Sequence, residues 1–228
     1  MTPTTAGLDQ LCLLDLDGRI ATVTLNRPEA RNALNLDLLN ALIARLKECS
    51  AAEVDVLVLR AEGPAFCAGA DLRADDGTAI GRPGLRRELI ETAISLVGSF
   101  PVSISVVQGP AVGGGWGLAF AADVVLAAEG ARFRFPELAL GFLPPESIVR
   151  RFREVAGPVR SLRLLGSGEF FCAGDPALTG LVETTAPDLL VERGRELAAL
   201  FASSAPGLLR LLKQSISPVP VEERHRDE

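Results

Sequence analysis

An α/β fold built from repeated β-β-α turns is predicted by three features of this 228-residue sequence. Short apolar runs typical of buried parallel strands occupy Val54–Leu59, Val102–Val107 and Val124–Ala127. Each run leads through a loop towards a segment with helical spacing of apolar residues, an alternation that is typical of α/β proteins. The composition is that of a globular chain, with 48% hydrophobic and 23% charged residues.

The N-terminal elements are predicted to be a hairpin and a helix. Leu11–Asp15 and Ile20–Leu25 have strand-like sequences and flank Asp17-Gly18, a good two-residue turn. After a loop over 26–32, leucines and isoleucine at helical spacing predict a helix over Leu36–Cys49.

The middle of the chain combines glycine-rich loops with two further helices. Ala74–Gly84, rich in glycine and aspartate, predicts a mobile loop, and Leu85–Gly98 predicts a helix. Gly113–Ala122 begins with glycines and continues as an apolar helix. Residues 92–122 carry no charge, but prolines and the glycine run interrupt them, so we expect buried elements rather than a membrane span.

The composition excludes several kinds of chemistry. The chain has a single histidine, His225, in the charged run 222–228, and it has no tyrosine. Histidine-dependent triads and histidine zinc sites are therefore not expected. The net charge of −6 argues against nucleic-acid binding, and four cysteines without a CxxC pair predict a reduced, cytoplasmic protein.

Two glycine-rich turns each lead from a buried strand into a helix. They are Cys67–Asp71 and Gly113–Gly117. Backbone N–H groups at a helix start lack helical partners, and glycine lets a ligand approach the backbone closely. Two such turns that face one point would form an oxyanion hole for a carbonyl. The alternative is that both are simply tight turns.

Taken together, the motifs resemble those of the crotonase (enoyl-CoA hydratase/isomerase) superfamily. Five segments carry the resemblance in order along the chain: Asn26–Leu34, Ala65–Leu72, Pro101–Gly117, Phe135–Gly141 and Gly166–Val182. The resemblance implies a crotonase-like superhelix of β-β-α turns with a helical C-terminal trimerisation part. It implies an acyl-CoA substrate, no separate cofactor, and oxyanion donors at the N–H groups of Ala70 and Gly114.

The resemblance also implies a domain organisation and partners. Residues 1–160 would form the β-β-α core with the oxyanion hole, 161–217 a helical part for oligomerisation and pocket closure, and 218–228 a charged tail. We expect a homotrimer or hexamer, and neither nucleic acid nor membrane as a partner. Because the sequence after Leu208–Ser217 is short for the family, an acyl thioester on a carrier protein is an alternative substrate.

The catalytic carboxylates are where the sequence departs from the hydratases it resembles. A typical hydratase of the superfamily has two glutamates, and one of their positions is Gly117 here, whereas Glu137 matches the other. One carboxylate suffices to move a proton between two carbons through an enolate. The resemblance therefore favours an isomerase, with Glu137 as the base; capping or ion pairing is the structural alternative for Glu137.

Glu146 is the second candidate acid. It lies one residue beyond the loop position at which related enzymes place theirs, which is Pro145 here. It could face the pocket and restore two-acid chemistry, or it could be an exposed first residue of a helix after Pro144-Pro145.

Further residues are candidates for substrate binding. Arg27 and Arg31 could hold CoA phosphates, with solvated loop arginines as the alternative. The set is completed by residues that lie in the family-like motifs: Ala68, Asp71, Leu72, Trp116 and Gly117. Asp71 would more simply cap a short helix, and Trp116 could pack in the core rather than on an acyl pocket.

Two other functions compete with the isomerase or hydratase. One is decarboxylation or dehydration of a CoA-bound or carrier-bound acyl thioester in specialised metabolism. Of these two reactions, decarboxylation needs only the oxyanion hole. The other is an acyl-CoA binder without catalysis, suggested by Gly117.

Overall fold

A six-stranded sheet and a three-stranded sheet organise the structure, a computed structural model that describes residues 10–73 and 83–216. The strands are β1 (Cys12–Asp17), β2 (Ile20–Leu25), β3 (Val56–Ala61), β4 (Val102–Val107), β5 (Ala111–Val112), β6 (Val124–Ala128), β7 (Arg132–Arg134), β8 (Phe171–Cys172) and β9 (Glu183–Thr185). The larger sheet has the order β1-β2-β3-β4-β6-β9 and the smaller one β5-β7-β8.

Helices cover both faces of the larger sheet. Those of the described residues are α1 (Leu36–Ala51), α2 (Pro83–Ser99), α3 (Gly114–Phe120), α4 (Glu146–Gly166, with a break at Gly157), α5 (Leu190–Ala202) and α6 (Leu208–Ile216). Asn35 begins α1 because its side chain accepts a hydrogen bond from the Leu38 N–H at 2.9 Å.

The predicted hairpin is confirmed. Strands β1 and β2 pair antiparallel, with Asp17 opposite Ile20. The turn between them is Gly18-Arg19, one residue later than predicted, and Gly18 has a φ of 57°. Glycine suits this left-handed conformation because it has no Cβ.

The predicted parallel strands are also confirmed. Strands β2, β3, β4 and β6 pair in parallel, and their apolar residues alternate between two buried faces. Val56 and Val58 pack with Leu190 and Leu197 of α5, whereas Leu57 lies in the larger core with α1, α2 and α3. Burial on both faces explains why β3 is continuously apolar from Val56 to Leu59.

The C-terminal part is less purely helical than expected. Strands β8 and β9 lie in the segment 161–217, and residue 160 falls within α4. The division into a core and an oligomerisation part stays a prediction. The predicted loop Ala74–Gly84 lies largely, and the tail 218–228 wholly, outside the described residues.

The uncharged stretch 92–122 is divided among α2, β4, β5 and α3. Across the described residues, none of the helices combines the length and the apolar character that crossing a membrane requires.

Candidate active site

The two glycine-rich turns meet in the structure. The Cys67 carbonyl accepts a hydrogen bond from the Val112 N–H at 2.9 Å, and Cys67 bridges to Ala111. Gly69 has a φ of 85°, and a Cβ there would stand 2.6 Å from the Val112 oxygen and 3.9 Å from the Gly113 Cα. Glycine is therefore required where these two backbone segments touch.

The N–H group of Ala70 is directed away from the segment at Leu34, with which Ala70 forms a bridge. Leu34 and Ala70 form a parallel bridge, in which the Leu34 N–H donates to the Gly69 oxygen at 2.7 Å and the Asp71 N–H donates to the Leu34 oxygen at 3.1 Å. Because the residues on either side of Ala70 make these bonds, its own N–H points to the opposite side.

The N–H group of Gly114 is the first of helix α3. It has no partner within the helix, because the first N–H groups of any helix precede its hydrogen-bond ladder. A Cβ at Gly114 would stand 3.3 Å from Ile90 Cδ1 and 3.4 Å from Leu34 Cδ1. Gly69 packs against Val112, next to Gly113, and Ala70 and Gly114 follow these two glycines, so the two predicted donors belong to adjacent segments beside an apolar wall.

Glu137 lies against the second turn. It begins a 3₁₀ helix, Glu137–Leu140, and its carboxylate occupies the space beside Gly113. A Cβ at Gly113 would stand 3.3 Å from Glu137 Cδ and closer still to Oε1, so this site, where φ is 53°, requires glycine. Glu137 is thus the side chain that the structure brings to the residue before the Gly114 donor.

Burial sets the protonation chemistry of Glu137. Its Oε2 atom is buried without a hydrogen-bond partner among the described residues. Removal from water disfavours the charged form, so burial raises the pKa of the Glu137 carboxyl above its ordinary value. A carboxylate in this state binds a proton more readily at neutral pH than an exposed one does, which suits a base that must also return its proton.

An aromatic cluster holds the segment that carries Glu137. Trp116 stacks on Phe135, two residues before Glu137, with ring centroids 4.7 Å apart. Trp116 also contacts the rings of Phe120, Phe133, Phe152 and Phe171. Trp116 is 0% exposed, which agrees with the core-packing alternative, and its contact with a substrate stays a prediction.

Gly117 is likewise buried rather than open to a substrate. A Cβ at Gly117 would stand 2.6 Å from Ile148 Cγ1, closer to its Cδ1, and 3.5 Å from Ile94 Cδ1. The side chain of Ile148 therefore fills the space that a residue at this position would need. The substrate contact at Gly117 stays a prediction, and Ile148 was not anticipated from the sequence.

Glu146 occupies a different environment from Glu137. It is the exposed first residue of α4, and its N–H donates to Glu91 Oε1 at 3.3 Å. This is the helix-start placement that was weighed against a pocket-facing acid. A carboxylate in the first turn of a helix interacts favourably with the helix dipole.

Arg27 and Asp71 form an internal ion pair. Arg27 Nη1 donates to Asp71 Oδ2 at 2.6 Å and to the Ala33 oxygen at 3.0 Å, and both side chains are largely buried. Asp71 Oδ1 also accepts the Arg73 N–H at 3.0 Å, which is a capping contact. Arg27 is thus held inside the fold, and its contact with CoA phosphates stays a prediction.

The other predicted binding residues lie on the surface near the first turn. Arg31 is exposed, Leu72 is 72% exposed, and the Ala68 N–H donates to the Arg31 oxygen at 3.0 Å. Their contacts with a substrate also stay predictions.

Asn32 supports the first turn and was missed as a functional candidate. It is fully buried; its Nδ2 donates to the Glu62 and Ala65 oxygens, both at 2.9 Å, and its Oδ1 accepts the Arg27 N–H at 2.8 Å. Its φ of 53° is a conformation that asparagine tolerates better than most residues. An asparagine within a predicted tight loop was the available signal.

Cys67 is unsuited to nucleophilic chemistry. Burial raises the pKa of its thiol to about 12, and the Sγ–H group donates to the Asn32 oxygen at 3.0 Å. Nor do the residues that the structure describes contain a cluster of three or more histidine, cysteine or acidic side chains suited to a metal ion.

Comparisons with known proteins agree with this geometry. A sequence model described as Enoyl-CoA hydratase/isomerase matches residues 15–223. A probable enoyl-CoA hydratase of Rhizobium meliloti is 32% identical over 207 residues, 90% of this chain and 80% of the relative. The 2,3-dehydroadipyl-CoA hydratase of Escherichia coli is 34% identical over 204 residues, 87% of this chain and 78% of the relative.

Solved structures match over a similar extent. An enoyl-CoA hydratase/carnithine racemase from Magnetospirillum magneticum has a TM-score of 0.84 and 31% identity, covering 95% of this chain and 86% of that one. An enoyl-CoA hydratase from Bacillus anthracis has a TM-score of 0.83 and 30% identity, covering 91% and 82%.

Proposed function

Because the chain belongs to the enoyl-CoA hydratase/isomerase family, whose members act on acyl-CoA thioesters, we propose that it moves a proton through a thioester enolate with Glu137 as its base. The family and the crotonase fold were both predicted from the sequence and are confirmed. The finer assignment, an isomerase in preference to a hydratase, is our proposal.

The proposed reaction needs one carboxylate and two backbone donors. Glu137 takes a proton from C2 of a 3-enoyl thioester, and the electron pair of the broken C–H bond moves into the thioester carbonyl. The N–H groups of Ala70 and Gly114 donate to the resulting oxyanion. As the enolate collapses, C4 takes the proton from Glu137 and the double bond shifts from C3–C4 to C2–C3.

One observation carries the preference for isomerisation. Among the described residues, Glu137 is the half-buried carboxylate that lies against Gly113, while Ile148 fills the space beside α3 at Gly117. A hydratase mechanism must in addition hold a water. The relatives named above are hydratases by name, so addition of water to a 2-enoyl thioester is the competing reaction.

The test compares two matched variants, Glu137→Gln and Glu146→Gln, on 3-enoyl-CoA and 2-enoyl-CoA. We expect Glu137→Gln to lower kcat for isomerisation by about 10²–10⁴-fold, the usual contribution of a general base, and Glu146→Gln to change it by less than about threefold. Full isomerase activity in Glu137→Gln would contradict the proposal. Release of carbon dioxide from a malonyl thioester by the double variant would favour decarboxylation instead.

We further propose the homotrimer or hexamer that the sequence predicts. Large apolar side chains on the last two helices are each more than half exposed: Leu200, Leu208, Leu211, Leu212 and Ile216. Apolar side chains exposed together in this way are typical of an interface. Light scattering would give the mass of the assembly. A cytoplasmic location, a role in fatty acid metabolism and a carrier-protein substrate stay predictions.

A further inference from the structure

One side of helix α3 forms a continuous apolar wall next to the Gly114 donor. Gly114 and Gly117 are three residues apart and therefore share a face of the helix. The space in front of Gly114 is bounded by Leu34 and Ile90, and the space in front of Gly117 by Ile94 and Ile148. The wall thus begins at the donor and continues one turn along α3.

Ile148 is fixed in this wall by the anchoring of α4. It is 1% exposed, and its N–H donates to the Pro145 oxygen at 3.0 Å in the first turn of α4. Arg151, on the same face one turn later, donates from Nε to the Phe120 oxygen at 2.9 Å and from Nη2 to the Ala122 oxygen at 2.8 Å. Because these carbonyls lie at the C-terminal end of α3, the two helices are joined at both ends of their contact.

The wall leaves no room for a water molecule beside Gly117. A buried water needs two to four hydrogen-bond partners and room for one probe sphere. The atoms nearest to the Gly117 position belong to Ile148 and Ile94, and Ile148 lies so close that even a methyl group would not fit. Glu137, by contrast, approaches the turn at Gly113, before the start of α3.

We propose that Ile148 is the residue that restricts this site to proton transfer. Addition of water to a 2-enoyl thioester forms a C3–O and a C2–H bond, and it breaks an O–H bond and the C2–C3 π bond. The water must therefore be held beside C3 while the enolate is held by the donors. By filling the space at Gly117, Ile148 removes the place for that water and for a second carboxylate. This inference rests on the proposed enolate chemistry.

A graded set of variants tests the role of Ile148. Ile148→Val removes Cδ1, the atom nearest to the Gly117 position, and Ile148→Ala removes Cγ1 and Cγ2 of the wall as well. A double variant, Gly117→Glu with Ile148→Ala, adds a carboxylate to the opened space. Two reactions are measured for each: hydration of 2-enoyl-CoA, and exchange of the C2 protons of a saturated acyl-CoA with solvent deuterium, which reports enolate formation alone.

We expect the ratio of hydration to exchange to rise about threefold in Ile148→Val, about tenfold in Ile148→Ala, and further in the double variant, as an opened space admits water. In Ile148→Val and Ile148→Ala, exchange itself should stay within about threefold of the parent protein, because Glu137 and the donors are untouched. Ile104→Ala is the matched control, since Ile104 is a fully buried isoleucine on the α5 side of the sheet. The ratio of hydration to exchange in Ile104→Ala should equal that of the parent protein.

An unchanged ratio in folded Ile148→Ala and in the double variant would overturn the inference, as would an equal rise in Ile104→Ala. If Ile148→Ala does not fold, an unchanged ratio in Ile148→Val overturns it. Failure of the proposed function gives a different result. In that case the parent protein shows no exchange, or Glu137→Gln leaves exchange intact.

Discussion

Glu137 and Glu146 lie on one short segment of the chain and have opposite environments. Glu137 follows a phenylalanine that stacks on Trp116, and its carboxylate is pressed against the backbone of Gly113. Glu146 follows Pro144-Pro145 and begins α4 with its side chain exposed. Burial raises the pKa of Glu137, while the first turn of a helix is a place where an ionised carboxylate is stabilised.

The comparison teaches that the packing of the preceding residues selects the reactive carboxylate. The rings around Trp116 direct the chain from β7 towards the oxyanion turn, so the residue after Pro136 must enter the site. At the other end of the segment, it is Ile148 and not Glu146 that α4 turns towards α3. Of the two glutamates, only Glu137 therefore has a position in the structure that agrees with its position in the sequence motif.

After Glu137→Gln itself, the largest effect should come from displacing Glu137 without changing it. In Gly113→Ala the new methyl group collides with the Glu137 carboxylate, and we expect kcat to fall by about 10²-fold, as misplacements of about 1 Å do. Gly141→Ala is the control, because Gly141 also has a positive φ, 81°, but has nothing within 4 Å of an added Cβ. Gly141→Ala should lose about 1–2 kcal/mol of stability from its left-handed backbone, and Gly113→Ala should lose more, because its ψ of −124° lies outside the left-handed region. Equal kcat values in Gly113→Ala and Gly141→Ala would show that Glu137 does not take part in catalysis.

The pH dependence of activity should distinguish the two carboxylates next. A base works only when ionised, so kcat/KM should fall as the pH drops through the raised pKa of Glu137, above the usual range of a glutamate. Glu146→Gln should keep this acidic limb, whereas the residual activity of Glu137→Gln should lack it. An acidic limb that disappears in Glu146→Gln would reverse the assignment.

The smallest effect is on stability, and its sign should differ between Glu137→Gln and Glu146→Gln. Because the pKa of Glu137 is raised in the folded state, its ionisation destabilises the fold: the stability that it contributes is present below the unfolded pKa and is lost as the pH rises through the folded pKa. Glu137→Gln should therefore raise the Tm at pH 8, and the gain should shrink as the pH is lowered.

Glu146→Gln should instead lower the free energy of unfolding by about 0.3–1 kcal/mol, because it removes a charge from the first turn of α4. Thermal melts of both variants between pH 5 and pH 8 provide the measurement. A gain in Tm from both substitutions at pH 8 would show that burial does not distinguish the two side chains.

The sequence by itself determined the hairpin, the parallel strands and the places of the glycine-rich turns. Alternation, continuous apolar runs and glycine content are local properties, and each acts through the backbone of the segment that carries it. Motif order also made Glu137 the leading candidate, and the structure brings it to Gly113 as the geometry of such a base requires.

Only the tertiary structure decided what surrounds these turns. Trp116, for which the sequence favoured core packing over an acyl pocket, is fully buried, Arg27 pairs with Asp71, and Ile148 fills the space at Gly117. These contacts join residues that are far apart in the chain. The local sequence around an apolar or charged side chain does not determine which distant residue it will contact. The candidate base Glu137 could thus be named from the sequence, whereas the apolar wall beside α3 is a product of packing.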